Sequence, residues 1–346
     1  MKKIHKYITK NFLIVFLVSL IFSSLLFILS DFFSSLSLIL ENSVSSKYIV
    51  EYYLFFLPYV MYLSMPLIFG LSVVISLGYL SMKNEIIVMR SSGLSIFKIA
   101  YPIIILSLLT AFIMFIGKEK LVNYGLQRSS FIKHYYFKHK ENVEWIKISD
   151  YFLKVERINT KDKTARNITA YKVNKDFSGI GKILECKSLK MKKKRVILKE
   201  CLNTEIPSMN KKRLNSVEIE FKGDFYSLFS LSKFKEPSFA YLLDKIKQAR
   251  NKDYYISMVL FRIFYPFSCF ILTLIAFVFV LRITPRKSGF IKNVFVSGIT
   301  FLLYIGGLEM LNSMGKYSMI NPIISILFFV LFWVAFSLYN LLKLGI

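Results

Sequence analysis

Residues 11–33 read NFLIVFLVSLIFSSLLFILSDFF, and the only charge in this run is Asp31, near its end. Crossing the ~30 Å hydrocarbon core of a bilayer takes about 20 apolar helical residues, so the run is long enough to span one. Lys2, Lys3, Lys6 and Lys10 precede it. A secretory leader also starts with basic residues, but its apolar core is shorter and ends in a small-residue cleavage site. This run is long and has no such site, so a retained membrane anchor is expected.

Five more apolar blocks follow, at about 52–82, 96–117, 256–283, 290–312 and 319–342. The block at 52–82 exceeds a bilayer's thickness at about 1.5 Å per residue. It holds Pro58 and Pro66, which predicts a kink or an interfacial first part. Pro266 lies in the fourth span. Six spans place both termini on one side. The short loops on that side carry Lys83, Arg90 and Lys98, then Arg282, Arg286, Lys287 and Lys292. The opposite loops hold Glu41, Lys47 and Glu51, and Lys316. Lys and Arg concentrate in short cytoplasmic loops. The termini are therefore expected in the cytoplasm and the long segment between spans three and four outside.

The formal net charge is +26. Residues 118–253 hold 32 of the 47 basic and 16 of the 21 acidic side chains. No nucleic-acid-binding motif accompanies this charge, and membrane spans flank it. An anionic membrane surface or anionic lipid suits it better.

Between 143 and 231 the pattern changes to short alternating runs: WIKISDYFLKVERI, NITAYKVNK, KILECKSLKM, RVILKECLNTEI and SVEIEFKGDF. Alternation at period two, bounded by turn residues, predicts β-strands. KILECKSLKM and RVILKECLNTEI mirror about Lys193–Lys194, which faces Leu189 with Leu198, Met191 with Val196 and Cys186 with Cys201. Outside the cytosol the two cysteines either form a cross-strand disulfide or stand as two thiols on one face. Pro237 opens a helical stretch, SFAYLLDKIKQARNKD, with Leu242, Leu243 and Ile246 on one face. The expected plan is three spans (1–117) with a cytoplasmic helix near 83–95, a β-domain (118–235), a linker helix (236–255) and three spans (256–346).

No P-loop, GxSxG, HExxH or GxGxxG is present, and neither CxxC nor a Cys/His cluster has metal-ligand spacing. No cofactor is expected, and energy for any transport must come from a partner or an ion gradient. Asp31, Arg262 and Glu309 fall near the outer ends of spans, where long side chains snorkel cheaply. A proton relay would need ionisable groups at mid-depth.

The loop between spans two and three reads KNEIIVMRSSGLS, residues 83–95. Glu85 to Arg90 predicts a short helix stopped at Gly93. The pattern Glu85…Met89-Arg90…Gly93…Ser95 resembles the motif at this place in the LptF/LptG permease family of lipopolysaccharide export. The resemblance extends to Pro66 and Gly78 in span two, Pro102 in span three, Arg262 and Pro266 in span four and Pro322 at span six. The Asp31-Phe32-Phe33 end of span one looks slightly closer to LptG.

This resemblance implies an α-helical membrane protein with six spans and an inserted jellyroll-like periplasmic domain, in a bacterial inner membrane. It implies a heterodimer with a second LptF/LptG-like permease around an outward cavity, driven by an LptB-like ATPase dimer. Glu85, Met89, Arg90, Gly93 and Ser95 would form the ATPase-coupling segment, with Glu85 making the key polar contact. The outer domain would pass an anionic glycolipid to an LptC-like jellyroll protein. Phe27, Phe33, Met61, Met65, Ile305 and Leu308 are the expected lipid-cavity wall, since apolar side chains accept acyl chains at little cost. LptG-like chains carry lysines just beyond span one. Here Asp31 and Glu41 stand there with Lys47, so Lys118, Lys120 and Arg128 are expected to complete the headgroup contacts.

Three other classes compete with a transport subunit. A lipid-processing enzyme would need a convergent acid, base or nucleophile in the outer domain, and none is apparent. A scaffold would need one span, not six. A channel would need a polar stripe through the spans.

Overall fold

Apolar composition on every side makes a helix the only open structure that satisfies each backbone N–H and C=O inside a membrane. The computed structural model describes residues 2–137, 144–148, 151–159, 164–173, 180–192, 195–206, 211–220, 237–249, 251–281 and 287–343. Six helices among them are long and apolar enough to cross a membrane. They lie in α1 (Lys2–Glu41), α2 (Ser46–Met82), α4 (Ile96–Gly117), α7 (Lys252–Leu281), α8 (Lys287–Lys316) and α9 (Pro322–Lys343). The short helices are α3 (Glu85–Ser91), α5 (Asn123–Ile132) and α6 (Phe239–Gln248). Arg282 and Arg286, the turn at Lys193–Lys194 and the end of the expected β-region at 221–231 lie outside the described residues.

Several helices outrun their apolar cores. α1 is 40 residues long, and its first residues carry the lysines. α2 is one 37-residue helix containing both Pro58 and Pro66. α4 continues through a π-helical turn, Lys118–Val122, into α5, so the helix of span three runs on to Ile132. No proline interrupts the chain between Gly117 and Ile132, and the helix carries Gly125 at its usual modest cost. Asn321 and Pro322 start α9 at the expected place. The Asn321 carboxamide oxygen accepts from the backbone N–H of Ile323 at 3.0 Å, and Pro322 sits where a donor is dispensable.

The chain forms two compact units. The first comprises Met1–Phe33, Leu57–Asn123 and Pro237–Ile346. Its centre is α7, which packs on α4, α6, α8 and α9. Buried serines and threonines return their hydroxyls to carbonyls one turn back, as Ser72 does to Ile68 and Thr273 to Cys269, both at 2.7 Å. Small side chains of this kind let helices approach closely. The Tyr265 hydroxyl crosses from α7 to α2, donating to the Leu63 carbonyl at 2.7 Å. Ser257 crosses from α7 to α8, donating to the Asn312 carbonyl at 2.7 Å.

The second unit comprises Ser34–Phe56 and Tyr124–Glu236. Its helical part ties the end of α1 and the start of α2 to the chain after α4. The Asn42 amide donates to the Phe137 carbonyl at 2.6 Å, and Tyr48 stacks on Tyr136 with ring centroids 3.7 Å apart. The β part is a six-stranded antiparallel sheet in chain order: β1 (Glu144–Ile148), β2 (Tyr151–Asn159), β3 (Thr164–Val173), β4 (Ile180–Lys192), β5 (Arg195–Glu205) and β6 (Lys211–Glu220). The described strands make one meander within the expected inserted all-β domain.

The register sets Leu189 opposite Leu198, Met191 opposite Val196 and Cys186 opposite Cys201. Cys186 and Cys201 are disulfide-bonded. Inward residues follow every second position except at one row. There the spacing widens to three: Ala165 to Ile168, Cys186 to Leu189 and Leu198 to Cys201, all buried. Asn167 and Glu200 lie at this widened spacing with φ of 55° and 52°. The pairing register runs unshifted through this row, so the neighbouring strands change their inward face together rather than through an extra residue in one of them.

Candidate functional site

α2 ends at Met82, and the chain reverses through Lys83 and Asn84, the latter at φ 60°. Asn tolerates the left-handed region better than most residues, which suits it to this turn. α3 then opens with Glu85 and closes with Arg90 in its last turn. Each charge sits at the helix end whose partial charge it offsets. Gly93, at φ 84°, ends the helix. Its N–H donates to the Arg90 carbonyl at 3.0 Å, and the Leu94 N–H donates to the Met89 carbonyl at 3.2 Å. This 5→2 and 6→1 pair is a Schellman stop, which explains Gly at 93. Ser95 follows as the N-cap of α4, its carbonyl accepting from the Lys98 N–H at 3.0 Å.

α3 has two faces. Ile86 is 7% exposed, and Met89 packs half-buried against the same core. Ile87 and Val88 point outward, 51% and 63% exposed. The Glu85 carboxylate lies beside them, half-buried. The Tyr7 hydroxyl of α1 donates to Glu85 Oε2 at 2.9 Å. The Lys83 ammonium stands 4.6 Å from the Tyr79 ring centroid. Tyr79, more than the nearby Glu85 and Tyr7, holds that ammonium above the usual lysine range. The arrangement offers a rigid apolar knob with one carboxylate at its edge, suited to docking rather than to bond chemistry. Sequence reasoning missed Tyr7, Ile87 and Val88. Tyr7 gives no local signal, being 78 residues from its partner.

The expected cavity wall divides by burial. Phe27 and Phe33 on α1 are 46% and 68% exposed. Met61 and Met65 on α2 and Ile305 on α8 are half-buried against the core. Leu308 is fully buried among the helices, because its side of α8 faces the core, so it lines no surface.

The basic residues also divide. Lys47 and Lys120 are exposed. Lys118 is buried, its ammonium 4.9 Å from the Tyr62 ring centroid and 6.0 Å from that of Tyr59. Arg128 is paired with Glu51 at 2.6 Å and lies over the Phe55 ring. Lys118 and Lys120 belong to the first unit, Lys47 and Arg128 to the second.

Arg262 departs from the expectation of a snorkelling side chain. It is 6% exposed and donates to the Pro237 carbonyl at 2.7 Å. It also lies 3.0 Å from Glu119, whose carboxylate accepts the Phe239 N–H at 2.8 Å. With its carboxamide turned to satisfy both neighbours, Asn123 accepts from Arg262 at 2.9 Å. These acceptors take its two terminal nitrogens, which a buried guanidinium needs, while its buried Nε has no hydrogen-bond partner among the described residues.

The model of the family described as lipopolysaccharide export system permease LptF/LptG matches residues 6–343. No curated protein matches the chain.

Proposed function

Since this chain belongs to the LptF/LptG family of lipopolysaccharide export system permeases, we propose that it is one membrane-spanning half of an ABC exporter. Membership makes it a multi-pass transport permease of such an export system, not an enzyme. The proposal adds how it works. A separate cytoplasmic ATPase docks on α3, and its closure moves the spans to which α3 is joined at both ends. A second permease of the same kind completes the outward cavity. Both termini and α3 lie on the cytoplasmic side, as the Lys and Arg of the short loops favour. The sheet lies in the periplasm, where a disulfide persists. Cargo is lipopolysaccharide or a related anionic glycolipid, drawn from the inner membrane and handed to a periplasmic bridge beginning with a jellyroll partner.

The observation that carries this reading is α3: a capped, core-anchored helix in a family permease, presenting Ile87, Val88 and Glu85 outward. Exposed Phe27 and Phe33 support an apolar cargo surface on α1. Exposed Lys47 and Lys120 remain for phosphate groups, whereas Lys118 and Arg128 have partners inside the chain.

The test is a mild-detergent pull-down of the tagged chain, with co-purifying proteins and lipids identified by mass spectrometry. A P-loop ATPase together with a second six-span permease and a bound glycolipid is the expected result. Recovery of the chain alone, or only with itself, would overturn the reading.

A further inference from the structure

We propose that Tyr7 is a positioning residue for Glu85, fixing that carboxylate in the orientation in which a cationic or N–H-bearing group of the ATPase partner receives it. The inference rests on the reading of α3 as the coupling helix and deepens it.

Both ends of the contact stand on fixed ground. Ile8, next to Tyr7, is 1% exposed, and Phe12 one turn later is fully buried. Ile86, next to Glu85, is 7% exposed. All three belong to one core cluster with Leu80, Ile99 and Ile103, from the helices flanking α3. The Tyr7 hydroxyl therefore comes from a surface that cannot drift away from α3. Glu85 itself needs such help. It is the first residue of a seven-residue helix, and Asn84 before it makes no side-chain cap bond. A glutamate side chain has several rotamers, and one hydrogen bond selects among them.

The chemistry of the donor matters. A lysine or arginine in this place would fix Glu85 by neutralising it, leaving little for a partner. A tyrosine hydroxyl is a single neutral donor. It holds Oε2 and leaves the carboxylate its negative charge and further acceptor capacity. Tyr7 is 42% exposed, so its ring also extends the apolar footprint of Ile87 and Val88. The docking surface thus spans two segments of the chain, the start of α1 and α3, although only the second carries the family motif.

Two measurements test this. In the first, the tagged full chain is purified from its own membranes as wild type, Tyr7→Phe, Glu85→Ala and the double variant. ATPase retained per chain is quantified, with the KM and kcat for ATP of what is retained. Tyr7→Phe is expected to lower retention about ten- to a hundredfold, the weight of one hydrogen bond to a charged group. It should leave the KM for ATP unchanged, and the double variant should match Glu85→Ala. Wild-type retention by Tyr7→Phe, with Glu85→Ala defective, overturns the role of Tyr7 and leaves the coupling reading standing. Wild-type retention by Glu85→Ala overturns the coupling reading and this inference with it. A double variant worse than Glu85→Ala shows Tyr7 acting elsewhere, which also overturns it.

The second measurement needs no partner and covers the case in which Tyr7→Phe fails to fold. With 3-fluorotyrosine at position 7, the fluorine resonance of the purified chain is expected to move on Glu85→Ala. An unmoved resonance overturns the contact.

Discussion

Arg262 of α7 lies 3.0 Å from Glu119, in the π-helical turn after α4, although 143 residues separate them in the chain. The same guanidinium holds the Pro237 carbonyl, and the same carboxylate holds the Phe239 N–H. The chain leaves the first unit after Asn123 and returns to it at Pro237. One ion pair, buried on its arginine side, therefore fastens both passages to α7.

Arg262→Met should destabilise the chain by about 2–3 kcal/mol. That is less than the roughly 3–5 for a fully buried pair, because Glu119 is 29% exposed. Exchanging the charges, Glu119→Arg with Arg262→Glu, should not restore stability, since Pro237 and Phe239 would then meet groups of the wrong kind. Thermal unfolding in detergent, followed by tryptophan fluorescence, checks both.

Cys186→Ser with Cys201→Ser should lower stability by about 3 kcal/mol at 25 °C, the chain-entropy value for a closed loop of this size. Mass spectrometry after alkylation of the denatured, unreduced protein should find one modified cysteine, Cys269, rising to three after reduction.

Gly70 is enclosed. A Cβ there would stand 3.0 Å from the Phe301 ring and 3.1 Å from Leu272 Cβ, both fully buried. Gly70→Val should cost about 1–3 kcal/mol by overpacking. Gly306 has open space at its Cβ position, and Gly306→Ala should be neutral or stabilising by up to about 1 kcal/mol through helix propensity. Melting temperatures of the two variants should move in opposite directions or differ clearly.

Val88→Asp should leave melting temperature unchanged, since Val88 is 63% exposed. It should nonetheless reduce ATPase retention and transport as severely as Glu85→Ala. Full transport by either variant would remove α3 from the coupling role.

The sheet carries a pH signature. Lys187 and Lys182 hydrogen-bond Glu200 and Glu205 and hold both carboxyls below the usual glutamate range. A lowered folded value means that the stabilisation is present above about pH 4.5 and lost as pH falls through the folded values. The matching rise at Lys182 gives a stabilisation that is fully present below about pH 10.5 and is lost as pH rises through the folded value. Glu200→Gln with Glu205→Gln should therefore melt slightly below wild type at pH 7, and the difference should vanish near pH 3. Both pairs are exposed, so the effect is small.

Much of the architecture is legible in local pattern. Uninterrupted apolar runs announced each span, because length and lack of charge are local properties. The register of the β4–β5 hairpin was legible because its two segments mirror about Lys193–Lys194, and a slip of one residue would turn Leu189 and Leu198 to opposite faces. α3 was legible from Glu85, Arg90 and Gly93, since dipole and Schellman stop act within a few residues. The remainder depends on how the helices pack. A span that is apolar all round does not reveal which side it buries, so Leu308 and Phe33 read alike, though one is fully buried and the other 68% exposed. Polar partners were equally hidden. Spacing rules reach three or four residues along a helix, whereas Tyr7–Glu85, Arg128–Glu51 and Arg262–Glu119 join residues 77 or more apart, and only the packing of the helices brings them within bonding distance.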